Sequence, residues 1–286
     1  MKRLILRYHF FALGCVGSIL SSCNSKFRVW VGNNDQKIYN LQYGEHKRQK
    51  MDIFLPAGYA QNTPVVIILH GGAWKYGRKE HMIQIQKMLF KNNIPSINMN
   101  YRLVSKHLTY KEQLEDINSV IEKFNTLTEK AQLLPNNYII LGESAGGHLA
   151  LLYGYRNPDK IKKIISLSGP TDFYSREYLN SFYSKYTSGT VQKMVGTKFD
   201  RTNLSEDFQK ASPIANISNV PTLLFQGNTD FLVNQKQGLA LDSALTKLNV
   251  PHKLVFMKNT GHAPRFFSKK KRESIIYPNI LKWIKK

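Results

Sequence analysis

The stretch Tyr138-Ile-Ile-Leu-Gly-Glu-Ser-Ala-Gly-Gly-His-Leu-Ala150 decides the fold of this chain of 286 residues. Its apolar, β-branched beginning predicts a strand at 138–141, and the small residues that follow predict a helix at 145–152. Between them, Gly-Glu-Ser-Ala-Gly fits the G-x-S-x-G pattern of a sharp turn that lifts its serine out of a sheet. Glycines suit this turn because side chains beside the serine would be crowded. The pattern therefore predicts that Ser144 is a nucleophile at a helix N-terminus, where partial positive charge favours an oxyanion.

The rest of the chain alternates between predicted strands and helices. Alternating or continuous apolar runs predict strands at 38–43, 50–55, 64–70, 94–101, 161–167, 220–226 and 252–257. Helical spacing of apolar residues predicts helices at 80–92, 110–132, 235–248 and 269–286. Repeated βα units after a first hairpin predict an α/β fold, with a mostly parallel central sheet, an N-terminal antiparallel hairpin and helices on both faces.

One segment, residues 171–211, departs from this alternation. It is polar and aromatic and has no clear strand. A connection this long inside a compact domain is usually functional. We therefore expect a small cap insertion over the active site, whose aromatic side chains either line a substrate cleft or form a core within the cap.

A serine nucleophile needs a base within hydrogen-bond reach and an anion that orients the base. In α/β-hydrolases these residues follow the serine in the order acid, then histidine. Asp230 follows the predicted strand 220–226, and His262 follows the predicted strand 252–257. Because the carboxyl ends of parallel strands meet at one edge of a sheet, Ser144, Asp230 and His262 are the predicted catalytic triad.

Other residues could fill these roles less well. Asp172 also follows a strand, so it is the alternative acid. His252 begins its strand, which places it at the wrong edge of the sheet. His148 lies within the helix that follows Ser144, where a structural role is expected.

The loop His70-Gly-Gly-Ala-Trp74 directly follows a buried predicted strand. Glycines in such a loop let backbone N–H groups approach the carbonyl oxygen of a substrate. We expect the amides of Gly72, Ala73 and Ala145 to form the oxyanion hole. His70 is expected to brace the loop without acting as a base, and Gly71, Trp74 and Glu143 are the other supporting residues of the predicted site.

Five motifs together resemble α/β-hydrolase esterases of the hormone-sensitive-lipase-like and feruloyl/acetyl-esterase-like branch. They are HGGAW (70–74), NYRL (100–103), GESAGG (142–147), GNTD (227–230) and GH (261–262). The resemblance spans about residues 38–286 and implies hydrolysis of carboxylic esters through an acyl-enzyme, without a metal or cofactor. Short acyl or aromatic acyl esters are the expected substrates, including acyl groups on carbohydrate.

Three alternatives remain open at the level of sequence. HGGAW in place of HGGG is also found in kynurenine formamidases, which hydrolyse an N-formyl amide with the same groups. Serine peptidases of the prolyl-oligopeptidase type resemble the core. A non-catalytic lipoprotein could also use the fold to bind a ligand, since fold alone does not establish turnover.

The N-terminus has the layout of an export signal. Basic residues (Lys2, Arg3 and Arg7) precede an apolar stretch at 10–20. The sequence Leu20-Ser-Ser-Cys23 then resembles the lipobox of bacterial lipoproteins, which predicts lipidation of Cys23. We expect a signal peptide at 1–22, a lipidated tether at 23–37 and the hydrolase domain at 38–286. The predicted product is an exported, membrane-anchored protein that faces the periplasm or the cell exterior.

The chain is strongly basic, with 41 Lys and Arg against 19 Asp and Glu and a formal net charge of +22. Its densest basic run, Lys269-Lys-Lys-Arg272, is short, and no nucleic-acid-binding motif accompanies it. Nucleic acid is therefore not an expected partner. A basic solvated surface, with contact to anionic lipid or polymer, is the interpretation that the charge favours.

Overall fold

The structure is a computed structural model, and it describes residues 34–60, 62–128 and 137–286. The predicted signal peptide, Cys23 and most of the predicted tether lie outside these residues. The described residues form one eight-stranded sheet in the order β1-β2-β4-β3-β5-β6-β7-β8. Its strands are β1 (Gln36–Gln42), β2 (Lys50–Leu55), β3 (Val65–Leu69), β4 (Ser96–Met99), β5 (Tyr138–Glu143), β6 (Ile161–Leu167), β7 (Thr222–Gly227) and β8 (His252–Met257).

Strand directions follow the predicted pattern. The strand β2 pairs in antiparallel fashion with β1 and with β4, whereas β3 to β8 pair in parallel. The predicted N-terminal hairpin and mostly parallel sheet are therefore confirmed. Successive parallel strands require crossover connections, and these connections supply the helices on the two faces.

Ten α-helices of different lengths lie in the described ranges. They are α1 (Ile83–Lys91), α2 (Tyr110–Thr128), α3 (Ala145–Arg156), α4 (Arg176–Asn180), α5 (Phe182–Val195), α6 (Glu206–Lys210), α7 (Gln235–Lys247), α8 (Pro264–Phe267), α9 (Lys269–Lys271) and α10 (Tyr277–Lys285). A 3₁₀ turn, Lys79–Met82, precedes α1, and a π-helical turn, Arg272–Ile276, joins α9 to α10. None of the described helices is long and apolar enough to cross a membrane.

Two hydrophobic cores cover the two faces of the sheet. Along β3, Val65, Ile67 and Leu69 pack with α2, α3 and α7, while Val66 and Ile68 pack with α1 and α10. This division explains why β3 is apolar at every position, since a strand buried on both faces shows no alternation. The helices α4 to α6 form the insertion between β6 and β7, next to the carboxyl ends of the strands. Three loops after β5, β7 and β8 meet at that same edge.

Candidate active site

Ser144 lies between β5 and α3 with φ 54° and ψ −120°, a backbone conformation that is strained for any residue with a side chain. Its N–H donates to the carbonyl oxygen of Leu167 (2.8 Å), which ties the turn to β6. A side chain at Gly142 would overlap the backbone of Gly146, and one at Gly146 would overlap Leu69. The glycines of the motif are therefore required by the close approach of α3 to β3 and β5.

Ser144, His262 and Asp230 form one hydrogen-bonded chain. Ser144 Oγ lies 2.9 Å from Nε2 of His262, and Nδ1 of His262 lies 2.8 Å from Oδ2 of Asp230. The second oxygen of Asp230, Oδ1, accepts from the N–H groups of Leu232 (3.0 Å) and Val233 (2.8 Å). Both carboxylate oxygens are thus fixed, and Nδ1 donates to the carboxylate. This leaves Nε2 free to accept the serine proton.

The alternative residues lie elsewhere. Oδ1 of Asp172 accepts from the N–H groups of Tyr174 (2.9 Å) and Ser175 (3.0 Å), where it caps a local turn. Its carboxylate makes no hydrogen bond to His262 within the described ranges, although the residue borders the same cleft. His252 is at the opposite edge of the sheet, with Nδ1 2.7 Å from the carbonyl oxygen of Val250.

The loop after β3 has an unusual backbone. Gly72, Ala73 and Trp74 have φ values of 128°, 48° and 63°, and a side chain at Gly72 would overlap the carbonyl oxygen of Tyr76. The N–H groups of Gly72 and Ala73 make no hydrogen bond to any part of the chain that the structure describes. Both residues border the cleft that contains Ser144, as does Ala145 at the start of α3. The three predicted oxyanion residues and the serine therefore line the same cleft.

His70 is completely buried beneath this loop. Its Nδ1 donates to the carbonyl oxygen of Gly71 (2.8 Å), its Nε2 lies 3.4 Å from Nη2 of Arg48, and its ring stacks on Tyr101 with centroids 4.1 Å apart. Burial lowers the pKa of His70 to about 3, so the imidazole is neutral. The Tyr101 hydroxyl donates to the carbonyl oxygen of His70 (2.7 Å). This histidine holds the loop, and its ring forms no hydrogen bond with Ser144 in the described part of the chain.

Trp74 continues the loop into the protein interior. Its Nε1 donates to Nδ1 of His148 (3.1 Å), and Nε2 of His148 in turn donates to the carbonyl oxygen of Ala211 (2.8 Å). Burial lowers the pKa of His148 to about 4, which keeps the ring neutral and able to accept from Trp74. The chain of contacts joins the oxyanion loop, α3 and the end of the insertion.

Two arginines of the site have no sequence motif. Arg48 donates to the carbonyl oxygens of Tyr101 (3.0 Å) and Gly77 (2.9 Å), which holds the oxyanion loop from outside. Arg265 is completely buried and pairs with Glu143 (2.7 Å). The one available signal for Arg265 is an arginine inside the apolar segment Pro264–Phe267, three residues after His262.

The cleft above Ser144 has a volume of about 1190 Å³. Much of its wall comes from aromatic side chains of the insertion: Phe173, Tyr178, Phe182, Tyr183 and Tyr186. Two of them also pack internally, since Phe173 contacts Tyr178, and Tyr178 contacts Phe199. The insertion thus combines both arrangements considered from the sequence, a small aromatic core and an aromatic cleft wall. No group of three His, Cys, Asp or Glu residues in the described chain could hold a metal ion.

Comparison with known proteins gives a consistent family match. The BD-FAE family model matches residues 51–245. An isoprenylcysteine alpha-carbonyl methylesterase of Arabidopsis thaliana is 23% identical over 252 residues, 79% of this chain and 56% of that protein. A kynurenine formamidase of Danio rerio is 25% identical over 146 residues, 48% of this chain and 47% of that protein. The chain thus spans about half the length of these curated relatives.

The fold is also shared with solved structures. A truncated form of a carbohydrate esterase from gut microbiota superposes with a TM-score of 0.70 at 18% identity, over 86% of this chain and 96% of that chain. Identity this low establishes the fold alone. Together with the sheet order and the loops at its carboxyl edge, the match confirms the predicted α/β-hydrolase fold.

Proposed function

Because the chain belongs to the BD-FAE family of α/β-hydrolases, we propose that it is a serine hydrolase that cleaves carboxylic esters through an acyl-enzyme. The observation that carries this proposal is the hydrogen-bonded chain from Ser144 through His262 to Asp230, with contacts of 2.9 and 2.8 Å. This chain provides a nucleophile, a base and an orienting anion in one open cleft.

Acylation begins when Ser144 Oγ attacks the ester carbonyl carbon and its proton passes to Nε2 of His262. The carbonyl oxygen becomes an oxyanion that accepts from the amides of Gly72, Ala73 and Ala145. Each such donor contributes roughly 2.7–4 kcal/mol to stabilisation of the transition state. The carboxylate of Asp230 stabilises the imidazolium that forms.

The tetrahedral intermediate then collapses. The bond between the carbonyl carbon and the alcohol oxygen breaks, and His262 gives its proton to the leaving alcohol. A water molecule next attacks the acyl carbon and gives a proton to Nε2 of His262. The bond between that carbon and Ser144 Oγ then breaks, His262 returns the proton to Oγ, and the acid is released. The neutral side chains of His70 and His148 support this geometry and take no proton in either step.

Replacement of the nucleophile tests the proposal. We expect Ser144→Ala to fold normally and to lose hydrolysis of p-nitrophenyl acetate by roughly 10⁶-fold, since the nucleophile and base act as a unit. A fluorophosphonate probe should label the unsubstituted chain and fail to label this variant. Ser274→Ala, which removes an exposed serine whose hydroxyl donates to the carbonyl oxygen of Lys270, is the matched control and should keep both properties. Substantial turnover by Ser144→Ala would refute the assignment.

A second candidate activity is hydrolysis of an N-formyl aryl amide. The similarity to the kynurenine formamidase of Danio rerio favours it, and the same three residues would cleave a C–N bond with His262 protonating the leaving amine. The ratio of kcat/KM for N-formylkynurenine to that for p-nitrophenyl acetate separates the two activities. A ratio well below one supports the esterase.

The acyl and alcohol parts of the substrate belong to the same proposal. The aromatic cleft of about 1190 Å³ is large enough for aromatic acyl as well as short acyl esters. The fold shared with a carbohydrate esterase is the basis for including acyl groups on carbohydrate. The test compares kcat/KM for release of acetate or ferulate from acylated xylo-oligosaccharides with kcat/KM for the matching p-nitrophenyl ester. The ratio measures how much recognition of the sugar contributes to kcat/KM.

We also propose that the protein is exported and lipidated at Cys23. The support is the sequence alone, a basic and apolar signal followed by Leu20-Ser-Ser-Cys23. Metabolic labelling with a radioactive fatty acid should mark the protein, and Cys23→Ser should abolish the label. Cys15→Ser is the matched control and should retain it.

A further inference from the structure

Six exposed apolar side chains surround the mouth of the cleft, and we call this set the collar. Each is between 47% and 86% exposed, and they come from three separate segments. They are Phe182 and Tyr186 of α5, Phe231 and Leu232 after β7, and Phe266 and Phe267 of α8. All except Phe267 border the cleft itself.

The position of the collar distinguishes it from ordinary surface exposure. Single exposed apolar residues are normal, whereas a contiguous apolar patch on a soluble chain marks an interaction site. Phe182 and Tyr186 lie one helical turn apart with ring centroids at 4.6 Å and ring planes inclined at 62°, so they pack edge to face while both remain exposed to solvent. The residue Phe231 directly follows Asp230, and Phe266 lies four residues after His262. Two of the three segments of the collar are therefore continuous with the loops that carry Asp230 and His262.

Positive charge accompanies the collar. Lys269 and Lys270 are exposed and follow Phe267 after one residue, and Lys185 is exposed between Phe182 and Tyr186. None of these three lysines forms an ion pair with another described residue. The sequence Phe266-Phe-Ser-Lys-Lys-Lys-Arg272 thus joins two exposed rings to the densest basic run of the chain. Apolar rings beside unpaired lysines are complementary to a surface that has anionic groups on the outside and an apolar layer directly beneath them.

We propose that the collar docks on the surface of an anionic lipid bilayer. Aromatic rings favour the boundary between headgroups and acyl chains, and lysines bind anionic headgroups while their stems lie along apolar surface. Near an anionic membrane each lysine strengthens binding by roughly fivefold. Binding by these side chains alone is weak, and the lipid tether proposed at Cys23 would strengthen it by keeping the local concentration high.

Docking in this way turns the mouth of the cleft toward the bilayer. The ester would then reach Ser144 from the lipid side, as a molecule partitioned into the headgroup region. This consequence rests on the proposed function, whereas the docking itself does not. Access of a polysaccharide would instead require the collar to remain in water.

A fluorescent probe at position 267 tests the docking directly. The full chain with Cys15→Ser and Cys23→Ser contains no other thiol, so Phe267→Cys can be labelled alone with an environment-sensitive nitrobenzoxadiazole. Leu248→Cys is the matched control, because Leu248 is 59% exposed and lies between α7 and β8 at the opposite edge of the sheet. Both labelled chains are titrated with vesicles of phosphatidylcholine alone and with vesicles that contain an equal part of phosphatidylglycerol.

We expect the probe at 267 to shift to the blue and brighten with the anionic vesicles only, and the probe at 248 to stay unchanged. Because the readout is local, binding through the N-terminal segment alone would leave the probe at 267 unshifted and overturn the proposal. An equal response to neutral vesicles would also overturn it. A shift that depends on protein concentration without vesicles would indicate a second copy of the chain instead.

Charge reversal gives the second measurement. Lys269→Glu with Lys270→Glu should weaken the vesicle response by more than an order of magnitude, given roughly fivefold per charge. The control, Lys162→Glu with Lys247→Glu, changes the net charge equally at the opposite edge of the sheet and should have little effect. Hydrolysis of soluble p-nitrophenyl acetate should remain unchanged in both variants. An equal vesicle response in the two charge-reversal variants would refute the docking proposal. Docking of a chain that does not hydrolyse p-nitrophenyl acetate would instead refute the proposed function, so the two failures are distinguishable.

Discussion

Glu143 and Arg265 form a buried ion pair that connects the two sides of the candidate active site. Glu143 directly precedes Ser144, and Arg265 lies three residues after His262. Nη2 and Nε of the guanidinium lie 2.7 and 3.3 Å from the two carboxylate oxygens, and Nη2 also donates to the carbonyl oxygen of His81 (3.1 Å). The pair therefore cross-links the end of β5, the helix α8 and the turn before α1, and it restrains the distance from serine to histidine.

Removal of either Glu143 or Arg265 should lower the free energy of unfolding. Arg265→Met leaves the Glu143 carboxylate buried without its counterion, and breaking a buried pair typically costs about 3–5 kcal/mol. Glu143→Leu should cost a similar amount, and the double variant should be more stable than either single one. Urea unfolding of the three variants measures the coupling. Lys210→Met, which breaks the exposed pair with Glu206, is the control and should cost about 1 kcal/mol or less. Additive losses in the double variant would contradict the cross-link.

The orienting acid can be identified by two matched substitutions. Asp230→Asn should lower kcat by roughly 10⁴-fold, because an amide can present its NH₂ group to Nδ1 of His262 and favour the wrong tautomer. Asp172→Asn removes the same charge from the same cleft but keeps an oxygen that can accept from Tyr174 and Ser175. Its kcat for p-nitrophenyl acetate should change far less. The opposite ranking of the two variants would assign the role to Asp172.

The oxyanion loop should be sensitive to a single methyl group. Gly72 has φ 128°, and its added Cβ would overlap the backbone of Tyr76, so Gly72→Ala must displace the loop. Loss of one aligned donor predicts a fall in kcat of roughly 10²–10³-fold. Gly58→Ala is the control, since Gly58 also has positive φ (65°) but has open space around it. That variant should lose some stability and keep its kcat. Unchanged kcat in Gly72→Ala would remove this loop from the oxyanion hole.

Local sequence predicted those features that depend on neighbouring residues. The strand and helix periodicities placed β3, β5 and α3 correctly because a strand buried on both faces and a turn crowded by glycine leave direct compositional signals. The positions of Asp230 and His262 followed from strand order, because parallel strands end at one edge. The residues that the structure brings together with Ser144 are those that this reasoning predicted.

Long-range partners could not be predicted in the same way. Arg48 and Arg265 reach the site from β1–β2 and α8, and a single arginine has no periodic or spacing signal that names its acceptor. The roles of the aromatic residues in the insertion were also beyond prediction from local sequence. The residues themselves were visible in the sequence, but which of them line the cleft and which pack inside the insertion, as Tyr178 does against Phe199, depends on how α4, α5 and α6 are arranged. The tertiary arrangement, not the local pattern, sets these roles.

Two buried neutral histidines predict acid sensitivity of the fold. Burial lowers the pKa of His148 to about 4 and that of His70 to about 3, whereas both rings titrate near 6.5 in the unfolded chain. As the pH falls below 6.5, the unfolded state therefore binds protons that the folded state does not. Stability should be fully present above pH 6.5 and should be lost as the pH falls toward 4.

The substitution His148→Gln isolates one of these two contributions. A glutamine amide can accept from Trp74 Nε1 and donate to the carbonyl oxygen of Ala211, as His148 does, but it does not titrate. Between pH 7 and pH 5, His148 should account for a loss of about 2 kcal/mol in the free energy of unfolding. Urea unfolding measures the free energy of unfolding at each pH. The change between pH 7 and pH 5 should be about 2 kcal/mol smaller in His148→Gln than in the unsubstituted chain. His107→Gln, at an exposed histidine that forms no ion pair with another described residue, is the control and should keep the full difference. An undiminished difference in His148→Gln would show that His148 is not the responsible group.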